Sequence, residues 1–334
     1  MKCILHIGTE KTGTTFLQKW LYDNQKALLE DRIFLSNFLK RYNNRDLCVY
    51  CQNSNDDYTR VNNIETNSKK ARFFSGFISD FKKEISDAES ECDYAIITSE
   101  HFHSRLRTID EIKKLKRILN KIFTEVIVVC YFREQSDMAI SYYSTNLKSG
   151  STQNIRKYLN SINPDNYYFN FKQIADNWAE VFGKDACKYR IYSRKNFISG
   201  DLRKDFLSLV LKDISYSRYE WTDNRENTSL SYIEAMLFRE INELEKHWLG
   251  NKRNQKNINI KKLVQSVQGI QRKPLRHRDS ALVFQRFKES NQKFFDKYFN
   301  GKNHFILREG QHEKINHTCS IDILIDLFKK MYKL

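Results

Sequence analysis

Residues 125–132, Glu-Val-Ile-Val-Val-Cys-Tyr-Phe, form the most strand-like run in the chain, apolar at nearly every position. Side chains of a strand alternate between its two faces, so a run without alternation must be covered on both sides. That requirement is met by a parallel sheet lying between layers of helices. Shorter runs of the same kind occur at 2–7, 32–35, 94–98 and 187–192. Helical patterns stand between or after them, with apolar residues three and four apart: from Phe16, and over 71–86, 109–123, 171–182 and 201–211. Strand and helix in alternation predict a P-loop-like three-layer α/β/α fold with a central parallel sheet. Further helices are expected on the C-terminal side, at 228–246, 279–299 and 321–333.

No Pro/Gly/Ser-rich linker and no internal repeat divides the 334 residues, so one domain over 1–334 is expected. Within it, 38–92 reads as an irregular and helical insertion, Asn-rich and without a sustained period up to residue 70, and 212–334 as a mostly helical C-terminal part. No apolar run approaches the ~20 residues of a membrane span. The apolar stretch at 3–7 is too short for the core of a signal peptide. Seven cysteines, an odd number, include three inside apolar strands, which suits reduced thiols and a cytoplasmic protein. Cys48 and Cys51 form C-x-x-C, but no second pair follows at zinc spacing. The formal charge of +16 calls for an anionic partner: nucleic acid, an anionic membrane surface, or a charged small molecule or glycan.

The first strand runs into Gly8-Thr-Glu-Lys-Thr-Gly-Thr-Thr15 and then a helix. A glycine loop at that place binds phosphate, because free backbone N–H groups and the helix N-terminus converge on an anion. Gly8-x4-Gly13-Thr14-Thr15 has the spacing of a P-loop, with Thr14 where that motif carries lysine. The lysine of this loop is Lys11, two residues before Gly13. Its ammonium suits a donor whose reactive group is bridged to the 5′-phosphate, rather than a β/γ-phosphate. Alone, such a spacing marks an ordinary βα turn; the threonines, the lysine and the strand–loop–helix setting argue for more.

Residues 5–18, Leu-His-Ile-Gly-Thr-Glu-Lys-Thr-Gly-Thr-Thr-Phe-Leu-Gln, closely resemble the phosphosulfate loop of sulfotransferases that use 3′-phosphoadenosine 5′-phosphosulfate (PAPS). The likeness is greatest to the bacterial and heparan-sulfate-type branches. The resemblance implies that Lys11 contacts the bridging oxygen and stabilises the leaving phosphate. It also implies that Thr9, Thr12, Gly13, Thr14 and Thr15 hold the 5′-phosphate. A second mark of the family is an Arg at a central strand end with a Ser about two helical turns on, together gripping the 3′-phosphate. Arg133 and Ser141, eight residues apart, match it. A strand end places Arg133 at the carboxyl edge of the sheet, and its planar fork suits a phosphate monoester. Arg272 and Lys273, in the basic stretch 271–278, match the family's loop over the 3′-phosphate, though without its glycine. The resemblance further implies PAPS as donor, 3′-phosphoadenosine 5′-phosphate (PAP) as product, and no metal.

Transfer to a hydroxyl requires a group that takes its proton as the oxygen attacks sulfur. The run 96–103 ends a strand expected beside the first and so faces the same edge as Lys11; within it the resemblance makes Glu100 the first candidate, because bacterial members of the family carry Ser-Glu-His or Ser-Glu there, with His101 or His103 next. His6 reads as a buried histidine, and Glu10 as pointing outward from the loop. The expected function is sulfuryl transfer from PAPS to a hydroxyl or amine of an acceptor, a carbohydrate or polysaccharide. The alternatives are a P-loop nucleotide kinase or NTPase and a basic nucleic-acid-binding protein. Dispersed basic residues and the absence of a zinc-finger or RNA-recognition signature argue against the last, so no specific nucleic-acid partner is expected.

Overall fold

A computed structural model describes residues 1–36, 43–211, 215–222, 229–250, 252–267 and 275–308. They divide between two compact units, the first comprising 1–133, 165–226 and 289–304, the second 134–164, 227–288 and 305–334.

The first unit holds a five-stranded sheet: β1 (Lys2–His6), β2 (Ile33–Leu35), β3 (Tyr94–Thr98), β4 (Glu125–Phe132) and β5 (Cys187–Ile191), in the order β2-β3-β1-β4-β5. Every neighbouring pair is parallel, with Ile4 opposite Ile96 of β3 on one side and Ile127 of β4 on the other. The fold class and the strand runs expected from the apolar sequence are therefore present. β1 lies at the centre because both its faces are apolar and buried from Cys3 to Leu5. The chain passes from β1 to the β2 edge and back through β3, then crosses to β4, so the switch point lies at β1. In open α/β sheets that is where ligands bind.

Helices α1 (Thr14–Asp23) and α2 (Gln25–Glu30) follow β1, and α12 (Leu202–Leu207) follows β5. Leu17, Trp20 and Leu21 of α1 pack with Phe206 of α12 and with Val129 and Tyr131 of β4 into one core cluster. Burying each such side chain contributes about 1.5–3 kcal/mol. The hydroxyl of Tyr131 reaches the Asp205 carboxylate at 2.7 Å, which satisfies a polar atom inside that layer. Phe132 instead meets Phe171 of α11 (Phe171–Phe182) at 5.0 Å and Phe294 of α16 (Lys288–Tyr298) at 4.9 Å. Successive β4 residues thus serve different cores, as unalternating apolar character requires. Lys188 and Arg190 charge the β5 edge, a common guard against strand addition.

The described part of 38–70 is more regular than its composition suggests. It contains α3 (Arg45–Cys51), α4 (Asp57–Val61) and the start of α5 (Asn67–Phe73). All are short, and the last two begin at a polar cap: Asp56 accepts from the Thr59 N–H at 3.1 Å and Thr66 from the Lys69 N–H at 3.4 Å. The helix expected over 71–86 is broken at Gly76 (φ 77°), where α5 gives way to α6 (Phe77–Ala88). α7 (His101–Arg105) and α8 (Ile109–Leu119) lead from β3 to β4.

The second unit is mostly helical, with α9 (Gln135–Lys148), α10 (Ile155–Asn160), α13 (Tyr232–Leu244), α14 (Gln255–Ser266) and α15 (Ser280–Arg286), beside a short antiparallel pair of strands at Trp248–Leu249 and Lys252–Arg253. Buried Lys261 of α14 caps α9, its ammonium donating to the carbonyl oxygens of Leu147 at 3.1 Å and Lys148 at 3.3 Å. Asn242 of α13 donates to the same Leu147 oxygen at 2.9 Å. The helix expected over 279–299 is divided at Phe287, and the one expected over 321–333 lies outside the described residues. Among the described residues no helix is long and apolar enough to cross a membrane. The six described cysteines are free thiols, and burial pushes Cys51 up to about 12 and Cys48 well above its ordinary value.

Candidate active site

The loop after β1 is built from left-handed backbone. Gly8, Lys11 and Gly13 have φ of 65°, 69° and 73°. A β-carbon on Gly8 would stand 3.1 Å from the Glu100 α-carbon, and one on Gly13 would stand 3.0 Å from the Tyr192 hydroxyl oxygen. Both glycines are needed for conformation and for space. Lys11 has no such excuse: a lysine held left-handed carries about 1–2 kcal/mol of strain. Strain of this kind persists where the surroundings fix it, and it gathers at ligand clamps.

The surroundings do fix it. The fully buried Thr9 donates its hydroxyl to the Tyr131 carbonyl at 3.0 Å. The Thr12 hydroxyl donates to the Thr9 carbonyl at 2.6 Å, and the Cys130 thiol to the Gly8 carbonyl at 2.8 Å. Two of the four threonine hydroxyls therefore hold the loop itself, and what Thr9 and Thr12 offer outward is backbone. Thr14 and Thr15 open α1. Gly13 precedes it with no side-chain cap, and the first turn closes where the Leu17 N–H reaches the Gly13 carbonyl at 2.9 Å. The N–H groups of Gly13 to Phe16 lie ahead of that bond, at the positive end of the helix dipole.

Parallel pairing of β1 with β4 carries Arg133 to the same edge. Its Nη1 donates to the Lys11 carbonyl oxygen at 3.1 Å, and its guanidinium lies 5.9 Å from the centre of the Tyr192 ring. Residues 122 apart in sequence thus meet at one place. Ser141 is buried on α9 in the second unit, its carbonyl accepting from the Thr145 hydroxyl at 3.4 Å. Arg272 and Lys273 lie outside the described residues.

β3 ends at the other flank of the loop. Glu100 Oε2 accepts from Gln18 Nε2 of α1 at 2.8 Å. His101 Nε2 stands 3.9 Å from Glu100 Oε1, and its buried Nδ1 has no hydrogen-bond partner. Burial pushes the His101 imidazole below its ordinary value despite the neighbouring Glu100 carboxylate.

His103 is not at the open edge. It is fully buried; Nε2 donates to the Tyr168 carbonyl at 3.0 Å while Nδ1 faces the Glu10 N–H at 3.5 Å. Burial pushes it down to about 4, so at neutral pH it is a neutral ring with both nitrogens engaged. It orders the loop and is not placed to take a proton from an acceptor. Glu10 points inward rather than outward, accepting from the Tyr168 hydroxyl at 3.0 Å. Burial raises its carboxyl, but hydrogen bonding from Ser104 and the nearby His103, His101 and Arg105 outweigh that and hold it low. His6 is buried as expected, 2.9 Å from the Thr98 hydroxyl, and burial pushes it down to about 3.

Gln18, Tyr192 and Tyr168 lie at the candidate site, and the sequence did not place them beside the loop. Gln18 had a signal: it stands four residues after Thr14 and shares its helix face. Tyr192 had only its place at a strand end, and Tyr168 only its place in the aromatic run 167–169, which reads as able to stack on sugar rings or to fill a core.

No family model matches the chain. An uncharacterized protein of Archaeoglobus fulgidus is 30% identical to it over 219 residues, 65% of this chain. The match spans 57% of that relative's own length, little more than half. Among solved structures, a sulfotransferase from Alicyclobacillus acidocaldarius is similar over 57% of this chain and 72% of its own, with 12% identity and a TM-score of 0.37.

Proposed function

We propose that the protein transfers a sulfuryl group from PAPS to a hydroxyl or amine of an acceptor, a carbohydrate. The observation that carries this reading is the 3.1 Å hydrogen bond from Arg133 to the Lys11 carbonyl. It brings an ammonium-bearing loop, a guanidinium and an uncapped helix N-terminus to one edge of the sheet. A nucleotide phosphorylated at both the 5′ and 3′ positions matches that set of cationic donors, with the loop and helix end for the 5′-phosphate and Arg133 for the 3′-phosphate.

In the reaction the acceptor oxygen attacks sulfur in line. A new S–O bond forms as the bond from sulfur to the bridging phosphate oxygen breaks. Lys11 stabilises the charge left on that oxygen, and PAP leaves. Glu100, oriented by Gln18 at 2.8 Å, takes the acceptor proton. His101 is the second choice for that role.

The test is calorimetric titration of the full chain with PAP, and with ATP plus Mg²⁺. PAP is expected to bind, and Lys11→Ala and Arg133→Ala to weaken it roughly tenfold to a hundredfold each, the range for a hydrogen bond to a charged group. Transfer of radiolabelled sulfate from PAPS then reads the chemistry. Unchanged PAP affinity in both variants, or tighter Mg²⁺-dependent binding of ATP, refutes the assignment.

A further inference from the structure

A cavity of about 470 Å³ lies in the helical insertion of the first unit between the end of α3 and α5. Its volume falls within the range of small-molecule sites. Lys70 and Lys114 line it. The Lys114 ammonium donates to the Tyr50 carbonyl at 2.7 Å, and that of Lys70 donates to the Gln52 carbonyl, two residues on. Both cap the C-terminal end of α3, and each ammonium keeps further protons to donate. Two like charges so close repel: Lys70 is pushed below its ordinary value by burial and then by Lys114. Tyr50 and Phe74 give the cavity an apolar wall, and Asn53, Asn55 and Asn67 line it with amides.

Gln52 is fully buried in the same wall. Its Nε2 donates to the Ser54 carbonyl at 2.9 Å, but its Oε1 has no hydrogen-bond partner. A buried acceptor without a donor is costly in a folded protein, and it marks this wall as imperfectly satisfied. Glu65 is the carboxylate among the lining residues and sits at the exposed rim. Cations, amides, a carboxylate and aromatic carbon around one cavity describe a ligand carrying one anionic group on a hydroxyl-rich ring.

We propose that this cavity binds an anionic sugar unit, its carboxylate or sulfate on Lys70 and Lys114 and its ring hydroxyls on the three asparagines. The site is independent of the Lys11 loop, so it stands whether or not the protein transfers sulfate.

The test is saturation-transfer NMR on the full chain with glucuronic acid, glucose 6-sulfate, glucose and inorganic sulfate as separate probes. Both anionic sugars are expected to bind, and glucose and inorganic sulfate to bind about tenfold more weakly or worse. Lys70→Gln should remove the preference for the anionic sugars. Asn67→Asp is the control for folding: it places a carboxylate at the first residue of α5, where the helix dipole favours it, and should still weaken both anionic sugars. Lys11→Ala should leave binding unchanged. Equal signals from glucose and glucuronic acid, inorganic sulfate binding as well as either anionic sugar, or indifference to both Lys70→Gln and Asn67→Asp, overturns the proposal.

Discussion

Acidification tests the buried network beneath the loop. In the fold His103 is pushed down to about 4 from an ordinary 6.5, so the unfolded chain takes up a proton that the folded chain refuses. Stability therefore falls as pH drops from about 6.5 towards 4, and is untouched above that window. At 1.36 kcal/mol for each tenfold change in proton affinity, His103 accounts for a loss of roughly 3 kcal/mol by pH 4. His103→Gln isolates it. A glutamine offers one acceptor for the Glu10 N–H and one donor for the Tyr168 carbonyl, and it does not titrate. Urea unfolding of both proteins between about pH 7 and pH 4 gives the difference directly. His6 adds a further loss in both proteins, since burial pushes it down to about 3, and it cancels in the comparison. The wild type should lose roughly 3 kcal/mol more than the variant. Parallel pH slopes would refute the idea that His103 is a neutral part of the scaffold.

The proposed transfer step and the loop geometry give two more expectations. Glu100→Gln should lower kcat roughly 10²–10⁴-fold with PAP affinity unchanged, and Gln18→Ala should lower it less, in steady-state assays of sulfate transfer. Full turnover in Glu100→Gln with loss in His101→Ala would move the base to His101. Gly13→Ala should cost about 1–2 kcal/mol for its left-handed backbone, plus the displacement of the Tyr192 hydroxyl at 3.0 Å. Gly76→Ala, also left-handed but with no neighbour closer than 3.6 Å, should cost the backbone part alone, and the gap between their melting temperatures reports the contact.

Much of the scaffold was legible because apolar runs such as 125–132 admit one kind of element. The loop was legible too, since glycine, lysine and threonine at fixed spacing leave few roles. The arrangement around Glu10 was not. Its partners Tyr168 and His103 lie 158 and 93 residues away and meet it only after β1 and β3 pair. A charged residue on a loop reads as exposed unless those partners are known. Residues 45–73 hid their helices for another reason. Helices of five to seven residues are too short to establish a period, so their caps at Asp56 and Thr66 were the whole signal. The cavity at Lys70 was illegible for the same cause, since it exists only once two such helices pack.

The left-handed backbone at Lys11 sets survival against usefulness at a single position. Asparagine adopts that conformation more readily than lysine, so Lys11→Asn should give a sturdier protein without the ammonium that the proposed sulfuryl transfer uses. A lineage released from the need for that ammonium would drift toward the relaxed residue, while one that keeps lysine there does so against the preference of its own main chain.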